Sequence, residues 1–88
     1  MEKVFYQTTD INIAATLLTL GKDVAGINPM DPSKVLFYFD LEKFPELPKL
    51  INNYWANTLL VNPKDLVANR RELLTRVHES KRQMEVEV

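Results

Sequence analysis

Apolar and polar positions along this 88-residue chain change their period several times, and each change marks an element. Val4 to Thr8 is rich in aromatic and β-branched residues, which suit a pleated, half-buried surface, and predicts a first strand. Thr9 and Asp10 then offer short side-chain oxygens to the unpaired N–H groups of a helix start. Ile13, Ala14, Leu17, Leu18 and Leu20 follow at helical spacing, and Gly21 can take the left-handed conformation that ends a helix. Val24 to Ile27 reads as a short second strand, and Asn28 to Ser33 as a dense run of turn formers. Val35 to Asp40 is the plainest strand, with Val35, Phe37 and Phe39 on one side and Leu36 and Tyr38 on the other. Both sets are apolar, so the pattern predicts a central strand covered on both faces.

The second half is mainly helical. Phe44-Pro45-Glu46-Leu47-Pro48 opens a second helix, where proline is tolerated because first-turn N–H groups have no helical partner. Leu47, Leu50, Ile51 and Tyr54 fall on one stripe of it. Thr58 to Val61 is a short apolar run that predicts a fourth strand. Asn62-Pro63-Lys64-Asp65 combines a cap, a first-position proline and a first-turn acid, and starts a third helix. That helix carries Leu66, Leu73, Leu74 and Val77, with Glu72 and Arg76 as an i,i+4 pair, and is expected to fray after about Arg82. The predicted organisation is a single α+β domain over residues 4–82 and a flexible acidic tail over 83–88. The order βαββαβ-α matches a ferredoxin-like (split βαβ) sheet with an extra C-terminal helix. In that arrangement the first and third strands are central, the first two helices share one face, and the third helix can cover the other.

Composition narrows the function classes. Hydrophobic residues make up 45% and charged residues 26%, enough apolar surface to offset chain entropy, so a folded domain is expected rather than disorder. The absence of cysteine excludes disulfide staples and thiolate zinc sites. Residues 1–63 hold five lysines and seven carboxylates (net −2), residues 64–82 six basic groups and three acids (net +3), and Glu85 and Glu87 add −2, giving the overall −1. Positive charge is thus concentrated on the third helix, with no global field to recruit nucleic acid. The opening Met-Glu-Lys-Val-Phe-Tyr does not read as a signal peptide, and no run approaches a membrane span, so a cytoplasmic location is expected.

The stretch from Phe5-Tyr6-Gln7-Thr8-Thr9-Asp10 through Leu20-Gly21 resembles the opening of a family of short phage and bacterial proteins. Val35-Leu36-Phe37-Tyr38-Phe39-Asp40, Leu50-Ile51-Asn52-Asn53-Tyr54-Trp55 and Val61-Asn62-Pro63 ahead of an Arg-bearing helix are similar too, so the resemblance runs over most of residues 4–77. That family is a domain of unknown function. The resemblance implies no activity and no functional residues, and points only toward a phage or mobile-element accessory protein.

Five groups of residues invite a functional reading. Arg70, Arg71, Lys81 and Arg82 could contact phosphates, against the plainer reading of a solvated helix with cations toward its C-terminus. Phe5, Tyr6, Phe37, Tyr38 and Phe39 could include a base-stacking pair, Tyr6 and Tyr38, against the plainer reading of five core aromatics. Asp10 and Asp40 could share one sheet edge and hold Mg²⁺, although a helix cap and a strand terminus account for both. His78 stands alone beside Glu79, without companion metal ligands. Trp55 falls about 100° off the apolar stripe that ends in Tyr54, and an exposed Trp is a frequent interface anchor. No nucleophile, acid–base pair or metal set meets a catalytic geometry, so no enzyme, cofactor or small-molecule substrate is expected. The sequence points to a protein-interaction module that uses Tyr54 and Trp55 toward a protein partner or a second copy. The alternative is a nucleic-acid-binding accessory protein that uses the basic helix.

Overall fold

The structure, a computed structural model, describes residues 3–31 and 34–86. In chain order its elements are β1 (Phe5–Thr8), α1 (Ile11–Thr19), β2 (Gly26–Asp31), β3 (Lys34–Asp40), α2 (Leu47–Trp55) and α3 (Pro63–Val86). The local signals for α1 act as expected. The Asp10 side chain accepts from the Asn12 N–H at 2.8 Å and the Ile13 N–H at 3.4 Å. Thr8 Oγ1 accepts from the Asp10 N–H at 3.1 Å, which fixes the turn from strand into helix. Past the other end, Gly21 sits at φ +86°, a conformation that favours glycine. At the start of α3, Asn62 Oδ1 accepts from the Lys64 N–H at 2.9 Å and the Asp65 N–H at 3.2 Å. The helix continues to Val86, past the expected fray point near Arg82, through Gln83, Met84 and Glu85, all good helix formers.

The fold class is α+β. The sheet runs β1-β3-β2, with β3 central and antiparallel to both neighbours, so β1 and β2 are mutually parallel across it. This is the split βαβ unit, with α1 as the crossover. The fourth strand expected at Thr58–Val61 is not formed, and among the described residues the sheet has three strands. The short segment between Asn57 and Asn62 links the end of α2 to the start of α3 instead, because both helix ends sit beside α1. The second strand also departs from expectation. It extends through Asn28, Pro29 and Met30, residues read from sequence as a turn. Pro29 is compatible because β2 lies at the sheet margin, and the register shifts between Pro29 and Asp31. The expected turn residues Pro32 and Ser33 lie outside the described residues.

Core placement explains the helix layer. Ile13, Ala14, Ala15 and Leu17 of α1, Phe37 and Phe39 of β3, Leu47 of α2, and Leu73 and Val77 of α3 form one buried cluster. Each such large side chain contributes roughly 1.5–3 kcal/mol by leaving water. Ala14 and Ala15 are fully buried, and α1 and α3 pack side by side. Two hydrogen bonds fix the pair: Asn69 Nδ2 to Thr19 Oγ1 at 3.0 Å, and Arg70 Nε to Asn12 Oδ1 at 3.0 Å. Helix α3 also runs along β2, and Arg76 reaches Asp23 at 3.3 Å in the loop before that strand. Thus α3 joins α1 and α2 on one face of the sheet, whereas the sequence pattern left α3 able to cover the other. The reason is apolar supply: Leu73 and Val77 of α3 enter the same buried cluster as Leu47 of α2.

The far face of the sheet has no helix over it among the described residues, so β3 is covered on one face and not on both. Cross-strand partners share a face, and Tyr6 is opposite Phe39 while Gln7 is opposite Tyr38. Tyr6, Phe37 and Phe39 therefore face the helices, with the rings of Tyr6 and Phe39 6.3 Å apart. Phe5 and Tyr38 lie on the open face, edge to face at 6.0 Å, and Asn28 Nδ2 donates to Tyr38 Oη at 3.2 Å. The aromatic pair left toward solvent is Phe5 and Tyr38, not Tyr6 and Tyr38, and the five aromatics are not all core.

Candidate interaction surface

Helix α2 is held at its start and along one stripe. Lys22 Nζ meets Glu46 Oε2 at 2.9 Å and also lies 5.3 Å from the centre of the Phe44 ring. This contact holds the Glu46 carboxyl below its ordinary range, with the Lys22 hydrogen bond as the main cause. Leu47 is fully buried, and Leu50, Ile51 and Tyr54 pack against the core from its margin. The Tyr54 phenol is pushed up from its ordinary pKa, chiefly because it is sheltered from water and secondarily by the negative Asp10 nearby. It is therefore a neutral hydrogen-bond donor at any physiological pH.

The helix ends on its aromatic pair, with Ala56 as its C-cap. Ala56 N–H donates to Asn52 O at 3.0 Å and Thr58 N–H to Asn53 O at 3.0 Å. Asn57 sits at φ +61°, the left-handed position that asparagine tolerates better than most residues. This abrupt end leaves Trp55 on the last turn, 64% exposed, with its ring perpendicular to Tyr54 at 5.2 Å. The segment after it carries Leu60, 90% exposed, between half-buried Leu59 and Val61. Tyr54, Trp55, Leu59, Val61, Leu66 and Thr16 line a hollow of about 440 Å³. The apolar run read from sequence as a strand thus forms one wall of a surface depression. Its strand-like composition was the only sequence signal, and that signal does not distinguish a ladder from a lip.

The four basic residues proposed from sequence form two pairs, Arg70–Arg71 and Lys81–Arg82, about 16 Å apart along α3. Arg70 is tied to Asn12 on α1, and Lys81 is half-buried. Arg71 and Arg82 are exposed, but eleven positions apart on the helix they are separated by about 16 Å along its axis. Arg71 borders a shallow apolar depression made by Pro63, Val67 and Ala68. Arg76 is engaged by Asp23 and by Glu72, at 3.3 and 3.4 Å. The two candidate carboxylates are kept apart by the antiparallel register. Phe5 lies opposite Asp40, so Asp40 closes the end of the sheet where β1 begins, and Asp10 follows the opposite end. Asp40 is a turn cap. Its Oδ1 accepts from the Glu42 and Lys43 N–H groups at 2.9 and 3.2 Å, and its Oδ2 meets Lys3 at 3.3 Å. These contacts, the Lys43 N–H foremost, hold its carboxyl below the ordinary range. His78 is exposed on α3, and no cluster of potential metal ligands occurs among the described residues. No described helix is long and apolar enough to cross a membrane.

Residues 3–78 match the family described as a domain of unknown function (DUF5659), and the chain belongs to it. Neither a curated protein nor a solved structure matches the chain.

Proposed function

We propose that this member of the family is a protein-interaction module whose contact surface is centred on Trp55. One observation carries the reading: a 64% exposed tryptophan stands at the rim of a depression that Leu59, Val61 and Leu66 line together with Tyr54, Thr16 and Asn57. Large aromatic side chains that become fully covered on binding dominate interface energetics, and neighbouring apolar walls exclude water around them. Leu60, at 90% exposure, extends the same apolar area away from the helix. The partner that fits is a protein surface or helix offering an apolar side chain to the depression. A phage or mobile-element accessory role is compatible with such a small adaptor.

The test is affinity capture with the immobilised chain and its Trp55→Ala variant side by side. A partner held by the natural chain and weakened about thirtyfold or more by the variant supports the reading. A partner held equally by both sinks it. The nucleic-acid reading has less support, because Arg70 is engaged within the protein and Arg71 and Arg82 stand far apart. It makes a separate prediction: binding to DNA or RNA that weakens steeply with salt and with Arg71→Ala.

A further inference from the structure

The outer edge of β1 carries unpaired backbone groups whose positions follow from the ladder. Leu41 N–H donates to Val4 O at 3.1 Å, and the register pairs Phe5 with Asp40, Tyr6 with Phe39, Gln7 with Tyr38 and Thr8 with Phe37. In an antiparallel pair, hydrogen-bonded and non-bonded residue pairs alternate. Val4, Tyr6 and Thr8 therefore turn their N–H and C=O toward β3, and Phe5 and Gln7 turn theirs outward. No described strand lies on that side, which is the place the missing fourth strand would take.

Natural edges are usually blunted by charge, proline or a bulge. Residues 4–9, Val-Phe-Tyr-Gln-Thr-Thr, contain neither a charge nor a proline, and the β1 register is uninterrupted. Val4 is 60% exposed and Phe5 37% exposed, and they point to opposite faces of the sheet, so the start of the edge is apolar on both sides. Shortness is the one blunting device present.

From this geometry we infer that β1 pairs antiparallel with β1 of a second copy of the chain, joining two three-stranded sheets into one of six. Centring the pair on Tyr6 sets Phe5 of each chain opposite Gln7 of the other. Those are the residues whose backbone groups face outward, so the pair forms four hydrogen bonds, two at each Phe5–Gln7 crossing. In the same register Lys3 of each chain falls opposite Thr9 of the other, next to its Asp10, so opposite charges flank the seam. The two open faces merge, and Phe5 and Tyr38 of both copies form one aromatic strip. This surface is separate from Trp55 and does not depend on the proposed function.

The experiment is molar mass in solution over a concentration series, with amide exchange on the same samples. The expected result is a 10.2 kDa monomer in equilibrium with its dimer, and Phe5 and Gln7 amides that become protected as the dimer fills. Gln7→Pro removes an outward N–H and leaves the β1–β3 bonds intact, a substitution edge strands tolerate. It is expected to weaken dimerisation by about tenfold to a hundredfold, while Trp55→Ala leaves it unchanged. Should Gln7→Pro not fold, the exchange data on the natural chain decide. A monomer at every concentration, unprotected Phe5 and Gln7 amides in a dimer, or a dimer abolished by Trp55→Ala overturns the inference. Protection of those two amides only on addition of a foreign extended peptide overturns the choice of a second copy.

Discussion

Helices α1 and α2 are each nine residues long, yet they stand in opposite relations to the core. Five consecutive residues of α1, Ile13 to Leu17, are buried, whereas α2 buries only Leu47. α1 is the crossover of the split βαβ unit, with α3 beside it and a buried cluster shared with Phe37 and Phe39 of β3. α2 leans on α1 through one stripe, is fastened by Lys22 at its start, and ends on an exposed tryptophan. The difference separates structure from exposure: residues that hold the fold are enclosed, and the exposed aromatic of the proposed contact surface sits on the peripheral helix.

Truncating each helix at its deepest point is the strongest way to break that contrast. Leu17→Ala, in the shared core, is expected to cost about 3–5 kcal/mol of unfolding free energy, a large fraction of what a domain this size has. Leu47→Ala is expected to cost about 2–3 kcal/mol, because α2 can loosen locally and relax around the cavity. Chemical denaturation measures both, and hydrogen exchange should show α2 alone losing protection in the second variant. An equal cost, with global exchange in both, would place α2 inside the cooperative core.

Smaller effects sharpen the contrast. Asp10→Ala removes the acceptor for two first-turn N–H groups of α1 and should cost about 1 kcal/mol in the same assay. No matching loss is expected at α2, whose N-cap Glu46 makes no side-chain cap hydrogen bond. Asp40 supplies a pH dependence. Its folded-state pKa lies below the ordinary value of 3.8, so its contribution is complete above that range and is lost as pH falls through the folded value. A carboxyl-resolved NMR titration should find Asp40 depressed, and Asp40→Asn should flatten the acid limb of the stability curve. Trp55→Ala should change stability by no more than about 0.5 kcal/mol, since the side chain is mostly in water.

Sequence pattern read the parts governed by local chemistry. The Asp10 and Asn62 caps, the Gly21 stop, the α2 stripe and the central place of β3 all follow from side chains acting on their own neighbourhood. What the pattern misassigned depends on competition between distant segments. Thr58–Val61 has strand composition, but its place is decided by the end of α2 and the start of α3, which both sit beside α1. Both faces of β3 read as apolar, and alternation alone does not reveal that α3 puts Leu73 and Val77 into the cluster on the α1 side. The exposed aromatic pair was misassigned for a related reason: only the register sets Tyr6 opposite Phe39 and leaves Phe5 outside with Tyr38. Trp55 was legible as an off-stripe aromatic. The depression beside it was not, because it needs the unpaired segment and Leu66 of α3.

Trp55 is the sole tryptophan of the chain, so its fluorescence reports directly on the proposed surface. The measurement is the emission maximum and acrylamide quenching of the purified chain, alone and with the partner obtained by capture. The account predicts red-shifted, readily quenched emission from the free chain, and a blue shift with protection from quencher when the complex forms. A tryptophan already protected in the free monomer, or one unchanged on binding, would contradict it.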